Sequence, residues 1–166
     1  MKHKVIDNFL DKEIFNKFKT SIFDTHIPWY YKERQVLNNE HEDDIGYYTL
    51  NFFSYLQSDF TNFNQYLNLI YEKLKCKSLI QSRANSVLKI NKKNKLFFHT
   101  DYEYENCKTA IFYMNTNNGG TVLNKNKLLK IDSVENRMLI FDCKIKHAAE
   151  IQTDVKRRIV ININYF

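Results

Sequence analysis

The chain has little of what usually bends a backbone sharply: three glycines and one proline in 166 residues. Most turns must then be made by Asn, Asp and Lys, the first two of which hydrogen-bond their own backbone. There is no run of about 18 apolar residues, so no membrane span is expected. The opening Met1 to Phe9 mixes charged and polar residues with isolated apolar ones, unlike a secretory signal, and a cytoplasmic location is expected. The three cysteines, Cys76, Cys107 and Cys143, are odd in number and lack a paired metal spacing, so they read as reduced thiols. No repeat, low-complexity tract or linker divides the chain. A single domain spanning 1–166 is expected, and monomer is the default state for its size.

What is present is apolar and aromatic material, 43% and 15% of residues, enough for a core. Asp11 is placed to cap a helix carrying Ile14, Phe15, Phe18 and Ile22 on one stripe, ending before Pro28. A second helix is expected from Ser58 as N-cap, with Phe60, Phe63, Leu67, Ile70 and Leu74 at three-four spacing. Between them, Trp29 to Tyr48 alternates polar and aromatic residues around Glu40, Glu42, Asp43 and Asp44. A solvated loop is the first reading; a lid over a site, walled by Trp29, Tyr30 and Tyr31, is the second. Arg83-Ala84-Asn85 leads into a strand expected over Val87 to Ile90, with Arg83, Asn85 and Val87 on one face.

The chemistry is concentrated later. His99-Thr100-Asp101 is followed 46 residues after Asp101 by His147 and 11 residues further by Arg158. If the triplet lies on a strand, His99 and Asp101 project from one face and can grip one metal, with Thr100 turned away. His147, after the apolar run Met138 to Phe141, is the candidate third ligand. Two imidazoles and a carboxylate make the ligand set of a mononuclear non-haem Fe(II) site with open positions. His3, His26 and His41 have no partner at ligand spacing. Cys143 lies near enough to His147 to be exposed to iron-generated oxidants, a liability rather than a role.

An arginine near such a site suits a dicarboxylate such as 2-oxoglutarate, because guanidinium holds a carboxylate by two parallel charge-assisted bonds. Alternation on the last strand separates two candidates. Arg157 is in phase with Ile159, Ile161, Ile163 and Tyr165, an apolar face suited to packing under helices. Arg158 is in phase with Val160, Asn162 and Asn164, a face suited to a polar pocket. Arg158 is therefore the expected carboxylate anchor, with Asn162 and Asn164 beside it and Arg83 and Asn85 as further pocket residues. One register slip would reverse the choice.

The segments FFHTD, KTAIFYMNTNNGGT, NRMLIFD, KH and RRIVININYF together resemble the Fe(II)/2-oxoglutarate-dependent oxygenases, in particular the prolyl-hydroxylase-like branch and its short phage-type members. They cover roughly the last 70 residues, the length of a jelly-roll's core motifs. The opening VIDNFL and the segment IPWYY are similar to the short phage-type proteins too. The resemblance implies a mainly β fold with flanking helices: a double-stranded β-helix (jelly-roll) core backed by N-terminal α-helices. It implies that His99, Asp101 and His147 bind Fe(II), that Arg158 binds the C5 carboxylate of 2-oxoglutarate, and that Tyr113 supports that carboxylate. Tyr113 shares a parity with Thr109 and Ile111, compatible with a barrel-facing phenol. Asn117 to Gly120 reads as a turn and resembles the family's crossing loop.

The activity implied is a dioxygenase consuming O2 and 2-oxoglutarate, releasing succinate and CO2, with ascorbate as a reductant. An intact Asp101 points to hydroxylation, since related halogenating enzymes lack that carboxylate. A prolyl residue of a peptide or protein is the first expected substrate, and free proline or another amino acid the second. Nucleic-acid demethylation draws on the net charge of +6 and on Lys89, Lys92, Lys93 and Lys95. That branch usually carries a second arginine six residues after the first; the position here is Asn164, which argues against it. A jelly-roll that keeps a metal without turnover is the non-enzyme alternative.

Overall fold

The computed structural model describes residues 3–33, 45–54, 61–92 and 94–166. Helix α1 (Lys12–Ile22) starts where expected: the Asp11 carboxylate accepts from the backbone N–H groups of Glu13 (2.9 Å) and Ile14 (3.4 Å). Helix α2 (Asn64–Leu74) follows a 3-10 turn, Thr61–Phe63, and closes on Lys75 in the left-handed conformation. Ser58 and Phe60, His41, Lys93 and the acidic positions 40–44 lie outside the described residues.

Among the described residues, ten strands form two antiparallel sheets: β1 (Lys4–Ile6), β2 (Tyr30–Lys32), β3 (Tyr47–Ser54), β4 (Leu79–Leu88), β5 (Lys108–Tyr113), β6 (Gly120–Asn124), β7 (Leu128–Asp132), β8 (Arg137–Asp142), β9 (Lys146–Glu150) and β10 (Arg157–Tyr165). The large sheet has the order β1-β8-β5-β10-β4-β3-β2, and the small one β7-β6-β9. Strand β10 lies between β5 and β4 in the large sheet, and both its faces are buried. Its Ile159, Ile161, Ile163 and Tyr165 join Phe15, Phe18 and Ile22 of α1 and Leu67, Ile70 and Leu74 of α2 in the larger core. The opposite face of the large sheet packs towards the small one through Ile111, Tyr113, Leu139, Phe141 and Val160 against Leu123 and Ile131. This is a jelly-roll with helices covering the outer face of its large sheet, the expected fold class.

Two expected elements differ. Arg83 to Asn85 do not lead into a strand; they lie in the middle of β4, which ends at Leu88. The strand is hard to read because one face carries Arg83 and Asn85 beside a cavity, while the other is narrowed to the small buried residues Ser82, Ala84 and Ser86. His99 to Asp101 is not a strand either: His99 makes a single β-bridge, to His147, and Asp101 sits in a bend. No helix among the described residues is long and apolar enough to cross a membrane.

Candidate metal centre and co-substrate cavity

His147 stands on β9 of the small sheet. The chain between β8 and β9 turns at Cys143 to Ile145, closed by the bond from Ile145 N–H to the Asp142 carbonyl (2.9 Å), and so crosses from the large sheet to the small one. His99 N–H donates to the His147 carbonyl (3.0 Å) and His147 N–H to the His99 carbonyl (2.8 Å). Such a pair places both side chains on one face, and the imidazole centroids are 4.5 Å apart. Asp101, two residues on, brings its Oδ1 within 3.8 Å of Nε2 of each histidine. One ligand atom from each residue falls within 4.8 Å of the others.

The hydrogen bonds around this cluster decide which atoms face its centre. His99 Nδ1 lies 3.3 Å from the Phe97 carbonyl and His147 Nδ1 lies 3.1 Å from the Ile145 carbonyl. A carbonyl only accepts, so each Nδ1 carries the proton and each Nε2 keeps its lone pair for a metal. Asp101 Oδ2 accepts from Thr109 Oγ1 and from Asn164 Nδ2, both at 2.8 Å, which leaves Oδ1 turned to the histidines. Burial raises the Asp101 pKa, but His147, the Asn164 bond, His99 and the Thr109 bond outweigh it and hold it below the usual carboxylate value. Burial, assisted by His147, lowers that of His99. A deprotonated carboxylate and neutral imidazoles are what divalent iron needs, so this donor set fits the metal.

A cavity of about 80 Å³ opens between the sheets beside the histidines. Strand pairing sets its floor: on β10 Arg158, Val160 and Asn162 lie opposite Val87, Asn85 and Arg83 of β4. All six line the cavity, together with Ile111 of β5 and Tyr47 of β3; Thr121, His147 and Ala149 line it from the small sheet. Arg158 is only 3% exposed, and its Nε has no hydrogen-bond partner. A buried guanidinium without an anion is costly, so the cavity fits a ligand that brings a carboxylate.

Arg157 takes the other side, stacked over Phe23 at 4.9 Å and bonded to the Phe23 carbonyl. Tyr113 is fully buried behind the cavity wall; its hydroxyl donates to Thr121 Oγ1 (2.8 Å) and its ring lies 5.7 Å from the Arg158 guanidinium. Asn164 lies with the candidate metal ligands rather than beside Arg158: its amide is used by Asp101 and by Thr109 Oγ1 (2.9 Å). Asn162 Oδ1 and Arg83 Nε are buried without partners, whereas Asn85 Oδ1 receives the Thr49 hydroxyl (3.3 Å). Thr109 and Thr121 were not among the expected site residues. Thr109 shares the parity of Tyr113, and Thr121 ends the Asn-Gly-Gly-Thr segment, so both carried a signal.

Of the residues suggested as a lid wall, Trp29 is packed against the larger core, while Tyr30 and Tyr31 are exposed on the edge strand β2. The closely spaced turn before β6 depends on Gly119, where a Cβ would meet the Glu150 carbonyl oxygen at 2.7 Å. Cys107 and Cys143 are buried free thiols, the Cys143 N–H donating to the Cys107 carbonyl.

No family model matches the sequence, and no curated protein matches it. Solved structures do. A prolyl hydroxylase from Trichoplax adhaerens, in complex with a peptide fragment of the hypoxia inducible factor oxygen degradation domain, superimposes with TM-score 0.69 at 16% identity, covering 99% of this chain and 83% of that one. A prolyl-4-hydroxylase from Pseudomonas putida gives 0.64 at 11% identity, over 98% and 91% of the two chains. HygX from Streptomyces hygroscopicus, with nickel, 2-oxoglutarate and hygromycin B bound, gives 0.64 at 8% identity, over 98% and 82%. The chain thus has the 2-oxoglutarate/Fe(II) oxygenase fold of the prolyl-hydroxylase-like kind.

Proposed function

We propose that the protein is an Fe(II)- and 2-oxoglutarate-dependent dioxygenase that hydroxylates an unactivated C–H bond, with a prolyl residue of a peptide or protein as the leading substrate. The observation that carries this reading is the joint occurrence, at one cavity, of the His99, Asp101 and His147 cluster and the buried Arg158, whose Nε has no partner among the described residues. Two of the similar folds are prolyl hydroxylases, one of them with a peptide bound, which supports the substrate class.

His99 Nε2, His147 Nε2 and Asp101 Oδ1 would hold the iron, and three protein ligands leave positions free for a chelating co-substrate and O2. When bound, iron with 2-oxoglutarate and O2 supplies oxidative decarboxylation to succinate and CO2, coupled to transfer of one oxygen atom into a C–H bond. The protein's part is orientation and electrostatics. Asn164 and Thr109 fix the Asp101 rotamer, so the carboxylate does not have to reorganise as the metal binds. Arg158 takes the C5 carboxylate, with the Thr121 hydroxyl as its partner and the Tyr113 hydroxyl holding Thr121 in place, and Ile111 and Val160 give an apolar wall that excludes water from its stem. Ascorbate fits as an external reductant that keeps the iron ferrous.

Free proline or another amino acid is the second reading, supported by the small cavity. Demethylation of nucleic acid draws no support from position 164, where Asn164 serves Asp101. The test is succinate formation with Fe(II) and 2-oxoglutarate, comparing proline-containing peptides, free proline and methylated oligonucleotides. Iron-dependent succinate coupled to a hydroxylated peptide supports the reading. Metal binding without turnover of any of the three would make the chain a metal-binding jelly-roll.

A further inference from the structure

Arg158 accounts for one carboxylate, yet the cavity contains a second arginine. Arg83 is directly opposite Asn162 on the neighbouring strand, whereas Arg158 is opposite Val87. The two arginines are thus separated by four residues along the sheet, about 13 Å of strand. Both guanidiniums have a buried Nε without a hydrogen-bond partner. None of the described residues lining the cavity is acidic, and the nearby carboxylate, Asp101, already serves Thr109 and Asn164 on one oxygen and the histidines on the other. Arg83 lines the cavity together with His99 and His147, and its pairing partner Asn162 is two residues from Asn164, which bonds Asp101, so Arg83 lies at the end of the cavity nearer the histidines and Asp101. One cavity thus carries positive charge on two separate rows, and a single chelating dicarboxylate anchored on Arg158 leaves Arg83 without a counter-charge among the described residues.

We propose that Arg83 is a specificity-determining residue that binds a carboxylate of the primary substrate, so that the molecule hydroxylated is a free amino acid or a peptide presented by its C-terminal residue. This rests on the dioxygenase reading and narrows it. The guanidinium would hold the carboxylate by charge-assisted bonds, while the neighbouring Asn162 Oδ1, also buried and unpartnered, is placed to accept from an amine or amide N–H of the same ligand. A chain-internal prolyl residue offers no carboxylate at that position.

The experiment uses the full chain loaded with Mn(II) and 2-oxoglutarate, and reads the saturable paramagnetic broadening of probe proton signals by NMR. The probes are L-proline and L-prolinamide, and one short peptide ending in proline as its free acid and as its amide. The expected result is broadening of an acid but not of its amide, with the affinity for that acid at least about tenfold weaker in Arg83→Gln, the scale of a lost charge-assisted bond. Whether L-proline or the peptide acid is broadened separates the two sources. Binding of 2-oxoglutarate, followed in the same samples, is expected to survive in Arg83→Gln, which also shows that the variant is folded. Equal broadening of acids and amides, no broadening of any probe, or unchanged acid affinity in Arg83→Gln would overturn the proposal while leaving the dioxygenase reading intact. A loss of 2-oxoglutarate affinity in Arg83→Gln matching that of Arg158→Gln would assign Arg83 to the co-substrate and overturn it as well. Failure of the unaltered protein to bind 2-oxoglutarate would remove both.

Discussion

His99 and His147 form a mutual pair of backbone hydrogen bonds, 3.0 and 2.8 Å, although they are far apart in sequence. That one pair adds His99 to the open edge of β9 and sets the two imidazoles side by side. The candidate metal centre is in this sense a property of the small sheet's edge: whatever disturbs the bridge separates the two imidazoles.

The ligand assignment is checked by substitution. His99→Ala or Asp101→Ala is expected to abolish stoichiometric binding of Fe(II) or Mn(II), measured by anaerobic titration. A variant that still takes up one equivalent tightly would contradict the assignment.

Asn164→Ala and Thr109→Val probe the support of Asp101 without touching a ligand. Each frees one side of Oδ2, and a loss of metal affinity of about 10–100-fold is expected by chelator competition. Unchanged affinity would show that Asp101 is held by its burial alone.

The two adjacent arginines have separable fates. Arg158→Ala is expected to raise the 2-oxoglutarate requirement strongly, whereas Arg157→Ala, which gives up contacts to Phe23, lowers stability and leaves co-substrate affinity near its original value. Tyr113→Phe is expected to weaken 2-oxoglutarate by at most one bond to a charged group, about 1.5–3 kcal/mol. Titrations giving the reverse order for the arginines would mean that β10 presents its other face to the cavity.

Metal-free protein is expected to lose stability on mild acidification. Burial, assisted by His147, holds the His99 pKa below its ordinary value, so below about pH 6.5 the unfolded chain takes up a proton that the native state resists. Stability is full above that pH and falls as pH drops towards the folded pKa. Urea midpoints between pH 5 and 7.5 should show this slope, and His99→Asn should reduce it; an equally steep slope in the variant would place the proton uptake elsewhere.

Much of this was legible in the sequence because alternation on a strand is a strong signal where both faces are buried for different reasons. RRIVININY separates an isoleucine face for the helices from a face whose Arg158, Val160 and Asn162 line the cavity, and the structure divides it that way. Asp11 and its apolar stripe were equally readable. Strand β4 was not, because a face lining a polar cavity and a face kept small beneath helices leave no hydrophobic rhythm. Nor was the place of Asn164: parity assigns a residue to a face, but its partner depends on how far along the strand Asp101 sits, and Asp101 is positioned beside the distant His99–His147 bridge.

The most direct test of the central claim is anaerobic thermal unfolding of the protein alone, with Mn(II), and with Mn(II) plus 2-oxoglutarate. Each ligand at about 100 times its dissociation constant should add roughly 2.7 kcal/mol, a shift of about 5–11 °C for a domain of this size. The account predicts a rise with metal and a further rise with 2-oxoglutarate that appears only when metal is present. Stabilisation by metal with no response to 2-oxoglutarate would contradict it.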